Sequence, residues 1–190
     1  MPWTELERHI ASQQERCEGM AALDLEPDFQ RAHVWTEAQQ IAFVEYQLQG
    51  GTSGKELYFN CAGWGLDYRG PYVIVDGKQR LQAVRRFIAN EIPAFGHLLS
   101  EYDDKLNFLD NHFNWNVAAL ESRTEVLQWY LNFNAGGTVH TAEELERVRK
   151  LISDAAPPVS KHDKQHLRWA SNNGITSDAH RLLALFRMEK

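Results

Sequence analysis

The sequence predicts an α+β fold: a small sheet, several helices around it and a helical C-terminal appendage. Three observations lead there. Capping-box pairs precede apolar-periodic stretches at Thr36/Gln39, Ser122/Glu125 and Thr141/Glu144. Short runs of β-branched and aromatic residues at 57–62 and 72–75 are bounded by glycine or proline. The 190 residues are 43% hydrophobic and include six tryptophans, enough for one packed core. That composition excludes a chain disordered throughout.

Taken in order, residues 4–19 form the first predicted helix. Thr4 is its cap, and Leu6, Ile10 and Cys17 lie near one face. Residues 21–25 read as a short strand, with Leu23 and Leu25 alternating with Asp24, and Pro27 ends it. Residues 28–35 make an irregular, aromatic-bearing loop. A second helix starts at Thr36 and carries Ile41, Val44, Tyr46 and Leu48. Gly50-Gly51-Thr52-Ser53-Gly54 ends it in a flexible turn.

The strand at 57–62 is followed by Gly63-Trp64-Gly65 and Arg69-Gly70-Pro71, which bracket a hairpin-like connection. The wholly apolar run Tyr72-Val73-Ile74-Val75 is expected at the centre of the sheet, because such strands are buried on both faces. Asp76-Gly77 breaks it. Residues 78–90 are then helical, with Leu81, Val84, Phe87 and Ile88 setting the period and Arg80, Arg85 and Arg86 on the polar side. Residues 91–120 are the least regular, with another strand at 116–120. One helix runs from Ser122 to the Asn134-Ala135-Gly136-Gly137 stop, and another from Thr141 to Asp154. Ala155-Ala156-Pro157-Pro158 reads as a linker. A domain over 1–154 and an appendage over 159–190, with helices at 160–170 and 177–189, are therefore expected.

Charge narrows the function classes. Twenty Lys and Arg stand against 26 Asp and Glu, net −6. Proteins that coat phosphate backbones are usually basic, so any DNA contact would be local. Two cysteines, Cys17 and Cys61, are too few for a disulfide framework or a four-cysteine zinc site. No apolar run is long enough for a membrane span, and no leader pattern is visible at the N-terminus. A cytoplasmic setting and no membrane partner are expected.

The stretch richest in chemistry is Val75-Asp76-Gly77-Lys78-Gln79-Arg80. A buried strand runs through a glycine turn directly into a helix, whose first N–H groups lack intrahelical partners and face an anion favourably. Gly77 lets a ligand approach the main chain, and Lys78 and Arg80 add mobile cations. Asp76 would hold a hydroxyl or a metal ion, or orient Arg80. A turn with an Asp cap and solvated basic residues fits the pattern equally well.

In the second stretch, residues 27–35, Gln30, Arg31 and Trp35 are suited to gripping a planar base and its phosphate. Phe29 and Trp35 also fit as core anchors, and Arg31 as a structural ion pair. In the third, Asn134-Ala135-Gly136-Gly137-Thr138 would wrap an anion or simply join one helix cap to the next.

Together, and in this order, the three stretches resemble the DGQQR-motif domain of GmrSD-type restriction proteins, which is itself similar to the N-terminal domain of ParB and to sulfiredoxin. The resemblance covers residues 20–150. It implies a ParB/sulfiredoxin-like core with a small mixed sheet. It further implies binding, and in several members hydrolysis, of a nucleoside triphosphate with magnesium or manganese. By position, Asp76, Gly77, Gln79 and Arg80 match the motif, with Asp76 the metal ligand and Asp76, Gln79 and Arg80 the catalytic candidates. Gln30, Arg31 and Trp35 match its loop, and Asn134 and Thr138 its glycine turn. Lys78 stands where the family commonly has glutamine. It retains phosphate affinity but alters which group orients water. Family members often carry a C-terminal HNH-type nuclease. Here His162-x3-His166 and Asn111-His112-x-Asn114 are only thin echoes of metal or nuclease motifs.

Four functions follow as expectations. The first is a nucleotide-binding enzyme. The second is a module reading DNA, a partner protein or a second copy of the chain through Lys78, Arg80, Arg85 and Arg86, or through Arg147, Arg149 and Lys150. The third is a compact nuclease built on Asp76. The fourth is an inactive relative that presents Trp64, Trp115 and Trp129 to a partner.

Overall fold

Apolar strands flanked by amphipathic helices give a two-sided sheet, and the computed structural model is built that way. It describes residues 1–16, 22–31, 34–68, 70–103, 111–134 and 141–155. The described elements are α1 (Leu6–Arg16), β1 (Leu23–Asp24), α2 (Glu37–Leu48), β2 (Glu56–Asn60), β3 (Tyr72–Asp76), α3 (Lys78–Ile88), β4 (Asn114–Ala118), α4 (Arg123–Asn134) and α5 (Ala142–Ala155). Ala155, the first residue of the expected linker, ends α5; residues 156–158 and the helices at 160–170 and 177–189 lie outside the described residues.

The strand order is β1-β3-β2-β4. β1 runs parallel to β3, β3 antiparallel to β2, and β2 parallel to β4, so the sheet is mixed. β3 is central as expected, and Tyr72 to Val75 are all buried. Its pairing with β2 contains an irregularity: Phe59 faces Ile74, but Tyr58 faces Asp76. Without this bulge at Val75, Asp76 would stand opposite Leu57 and point to the other face.

One face packs against α1, α2 and α3, with Leu6, Val44, Leu81 and Phe87 meeting Phe59 and Ile74. The other carries a smaller cluster in which Val73 and Val75 meet Phe29, Val126, Tyr130 and Val148. The N-terminus is laced to the segment before β4, through Met1 and Phe113 and from the Trp3 amide to Asn111.

Several local expectations change. Thr4 is not a helix cap. It lies within a 3-10 turn, Trp3–Glu5, that buries Trp3 and leads into α1. Cys17 lies outside the described residues. The buried face of α2 is Gln40, Val44 and Gln47, while Tyr46 is exposed. The two amides serve loops that the apolar period ignores: Gln40 donates to the Trp35 carbonyl and Gln47 to that of Ser53. The glycine-rich turn after α2 is tied down by the Tyr46 hydroxyl, which accepts from the Thr52 and Ser53 amides. The predicted strand at 116–120 begins and ends two residues earlier. A second 3-10 turn, Leu99–Glu101, carries no signal in the helical period. Among the described residues no helix is long and apolar enough to cross a membrane.

Candidate functional site

The carboxyl end of β3 runs into α3 through Gly77, which adopts φ 96° and caps the helix without a side-chain hydrogen bond. Glycine is needed there twice over. An L side chain disfavours that φ. A Cβ would also sit 2.5 Å from Leu57 Cδ2 and 3.2 Å from both the Glu56 carbonyl and Arg80 Nη2. The expectation that this glycine leaves room for a ligand is therefore corrected. The space against it is filled by Leu57 and the Arg80 guanidinium.

Arg80 is held in place. Its Nη2 donates to Asp76 Oδ2 at 2.7 Å and to the Glu56 carbonyl at 2.9 Å. Its Nε is buried with no hydrogen-bond partner. Asp76 thus orients Arg80, one of the roles open to it in the sequence. The pair keeps side-chain exposures of 23% and 29%, so it stays within reach of a ligand.

The Gln30–Trp35 stretch lies against the same corner. Gln30 Nε2 donates to the Ile74 carbonyl at 2.8 Å. Gln79 Oε1 accepts from the Val34 and Trp35 amides at 3.0 and 3.1 Å. Trp35 packs on Phe43, ring centroids 5.4 Å apart. Lys78 is not the mobile cation expected. It is buried, its ammonium bonds the Glu26 carboxylate, and it donates to the Arg31 carbonyl at 3.1 Å. A buried ammonium without such partners would be strongly destabilising.

From the other face, α5 reaches over the loop. Arg147 donates to the carbonyls of Asp28, Phe29 and Gln30 at 2.7, 3.3 and 3.3 Å. Arg31 Nη1 lies 3.8 Å from Glu144 Oε2. In α4, Arg123 clasps both carboxylate oxygens of Asp28. Beneath, burial holds the Tyr130 phenol above its ordinary pKa, with Arg31, Glu144 and Arg147 the charges nearest in influence.

Sequence reasoning missed Glu26, Glu56 and the placement of Arg147, and gave Glu144 a capping role without its contact with Arg31. Glu56 accepts from the Asn114 and Asn116 amides at 2.5 and 2.6 Å, which holds its carboxyl below the usual range. The parallel register of β2 with β4 brings these three together, and no local signal encodes it. Asn114 is thereby accounted for structurally, and His112 bridges to Pro2.

Three more of the basic residues considered for DNA reading carry counter-ions. Arg85 chelates Glu7, Arg86 meets Glu37 and Glu91, and Arg149 meets Glu146. Of the tryptophans considered as a partner surface, Trp115 stacks on Phe59 at 3.9 Å, Trp64 packs on Tyr72 and Trp129 on Phe133.

The structure thus brings together Gln30, Arg31, Trp35, Asp76, Gly77, Lys78, Gln79 and Arg80. Asn134 ends α4. Thr138, His162 and His166 lie outside the described residues. Among the described residues, no group of three or more His, Cys, Asp or Glu is placed to hold a metal ion.

A family model described as GmrSD restriction endonuclease, N-terminal domain, matches residues 11–169. No match was found among curated proteins or among solved structures.

Proposed function

The chain belongs to the GmrSD restriction endonuclease N-terminal domain family, and from that premise we propose that it binds a nucleoside triphosphate at the carboxyl end of β3 and hydrolyses it in a restriction or phage-defence setting. The observation that carries this reading is one of convergence. Two sequence stretches, Gln30–Trp35 and Ile74–Arg80, are locked onto each other by hydrogen bonds of 2.8 to 3.1 Å between residues 44 to 47 positions apart.

In this reading the part-exposed Arg80 and Arg31 guanidiniums take the phosphate oxygens. They stabilise charge as it builds on the transferred group. Gln79 keeps its carbonyl on the loop amides and offers its amide nitrogen to the substrate. Trp35 would border the base. Lys78 acts by holding the loop, not by touching phosphate.

The described donor set is too small for a cage built from protein alone. Magnesium or manganese would arrive with the triphosphate, held by Asp76 through the oxygen that Arg80 leaves, with phosphates and water completing its shell. Bound there, the ion would neutralise phosphate charge.

Titration calorimetry with each of the four ribonucleoside triphosphates and magnesium tests this reading. Heat is expected for at least one. No heat for any, from protein whose circular dichroism is intact, would remove the proposal. Arg80→Ala should lower affinity by about 1.5–3 kcal/mol, roughly one to two decades.

A further inference from the structure

We propose that α5 carries a built-in counter-anion for Arg31: Arg147 straps the 28–30 backbone in place, and Glu144 holds the Arg31 guanidinium until a polyphosphate displaces it. The inference rests on the nucleotide reading above and names a device within the same site.

The two contacts have different characters. Arg147 collects three successive carbonyls, those of Asp28, Phe29 and Gln30. A planar guanidinium with five donors can do this, and an ammonium cannot match the geometry. The contact fixes main chain and leaves the Arg31 side chain to other partners. Glu144, in contrast, meets Arg31 at 3.8 Å, outside good hydrogen-bond range. Its Oε2 is already engaged, accepting from the Thr141 amide at 2.9 Å in the capping box that opens α5. Arg31 is thus neutralised but not tightly bound.

Both Arg31 and Glu144 are substantially shielded, with side-chain exposures of 15% and 25%. The attraction is therefore screened less than at an open surface. A phosphate group offers oxygens with more charge and bidentate geometry for the same guanidinium. Ligand binding would exchange the Glu144 contact for a phosphate contact, and α5 would feel the exchange through its own first turn.

Glutamine suits the N3 position of a capping box as glutamate does, so Glu144→Gln removes the charge and keeps the cap. Binding of a nonhydrolysable nucleoside triphosphate with magnesium is measured by calorimetry for the wild type, Glu144→Gln, Arg147→Lys and Arg147→Met. Glu144→Gln is expected to bind about two- to fivefold tighter, since its competitor for Arg31 is gone. A residue with a merely structural role would not raise affinity when altered. Arg147→Met should bind about tenfold weaker, with Arg147→Lys in between. If Arg147→Met fails to fold, the Glu144→Gln comparison decides alone. Equal affinity for wild type and Glu144→Gln overturns this inference and leaves the nucleotide site standing. No binding by any of the folded proteins overturns both.

Discussion

On the α2/α3 side of the sheet, the 26–35 loop is held by the buried Lys78 ammonium and by two half-buried side chains, the Gln79 carbonyl and the Gln30 amide on β3. On the α4/α5 side the same loop is held by guanidiniums at the surface, Arg123 on Asp28 and Arg147 on three carbonyls. The apolar packing differs in step, with a large cluster on the first side and a small one on the second. Contacts made in a shielded setting are electrostatically stronger, whereas an exposed ion pair such as Arg123–Asp28 contributes little. The α2/α3 side is therefore the scaffold, and the α4/α5 side the adjustable clamp.

The largest test of that contrast compares truncations in the two cores. Phe87→Ala, in the large cluster, should cost about 3–5 kcal/mol in urea denaturation. Val148→Ala, in the small one, should cost about 1.5–2.5 kcal/mol. Equal losses would erase the distinction. A smaller effect sharpens it. Lys78→Met should destabilise by roughly 1–3 kcal/mol, because it orphans the Arg31 carbonyl. Glu26→Gln should cost less, since glutamine keeps an oxygen acceptor for the ammonium, the Arg31 carbonyl stays bonded and Glu26 is 73% exposed. If both cost the same, Lys78 is not part of the scaffold.

The smallest effect is read by pH. The Tyr46 phenol, on the scaffold side, is pulled down from 10.0 to about 8, chiefly by its hydrogen bond with Ser53. Tyr130, on the clamp side, is pushed up by burial. A group whose pKa is lowered in the folded state adds stability that is fully present above its unfolded value. That stability is lost as pH falls through its folded value. The Tyr46 contribution should therefore grow between pH 8 and pH 10, and Tyr46→Phe should flatten that rise. Phenolate absorbance should show one tyrosine titrating near 8, absent from the variant. Tyr130 runs the other way and should stay protonated beyond the ordinary phenol range.

Much of the fold was legible because it rests on local rules. All three capping boxes form, each from a pair three residues apart. The run 72–75 declares itself central because it has no polar residue to give to solvent. The polar face of α2 was not legible, since Gln40 and Gln47 are buried by loops that arrive from elsewhere. Likewise Thr4 has a cap's chemistry, but the burial of Trp3 pulls it into a 3-10 turn instead.

For the site, the sequence alone determined which residue types stand in the glycine turn and its companion loop, and that the turn joins a buried strand to a helix. Those features follow from backbone sterics and periodicity, which act within a few residues. Only the tertiary structure decided what each side chain does there. Lys78 is turned inward to Glu26, Asp76 is committed to Arg80, and Arg31 is left facing Glu144. A charge takes whichever partner the fold brings within a few ångströms, and these partners come from β1–β3 pairing, a bulge at Val75 and a helix more than a hundred residues along the chain.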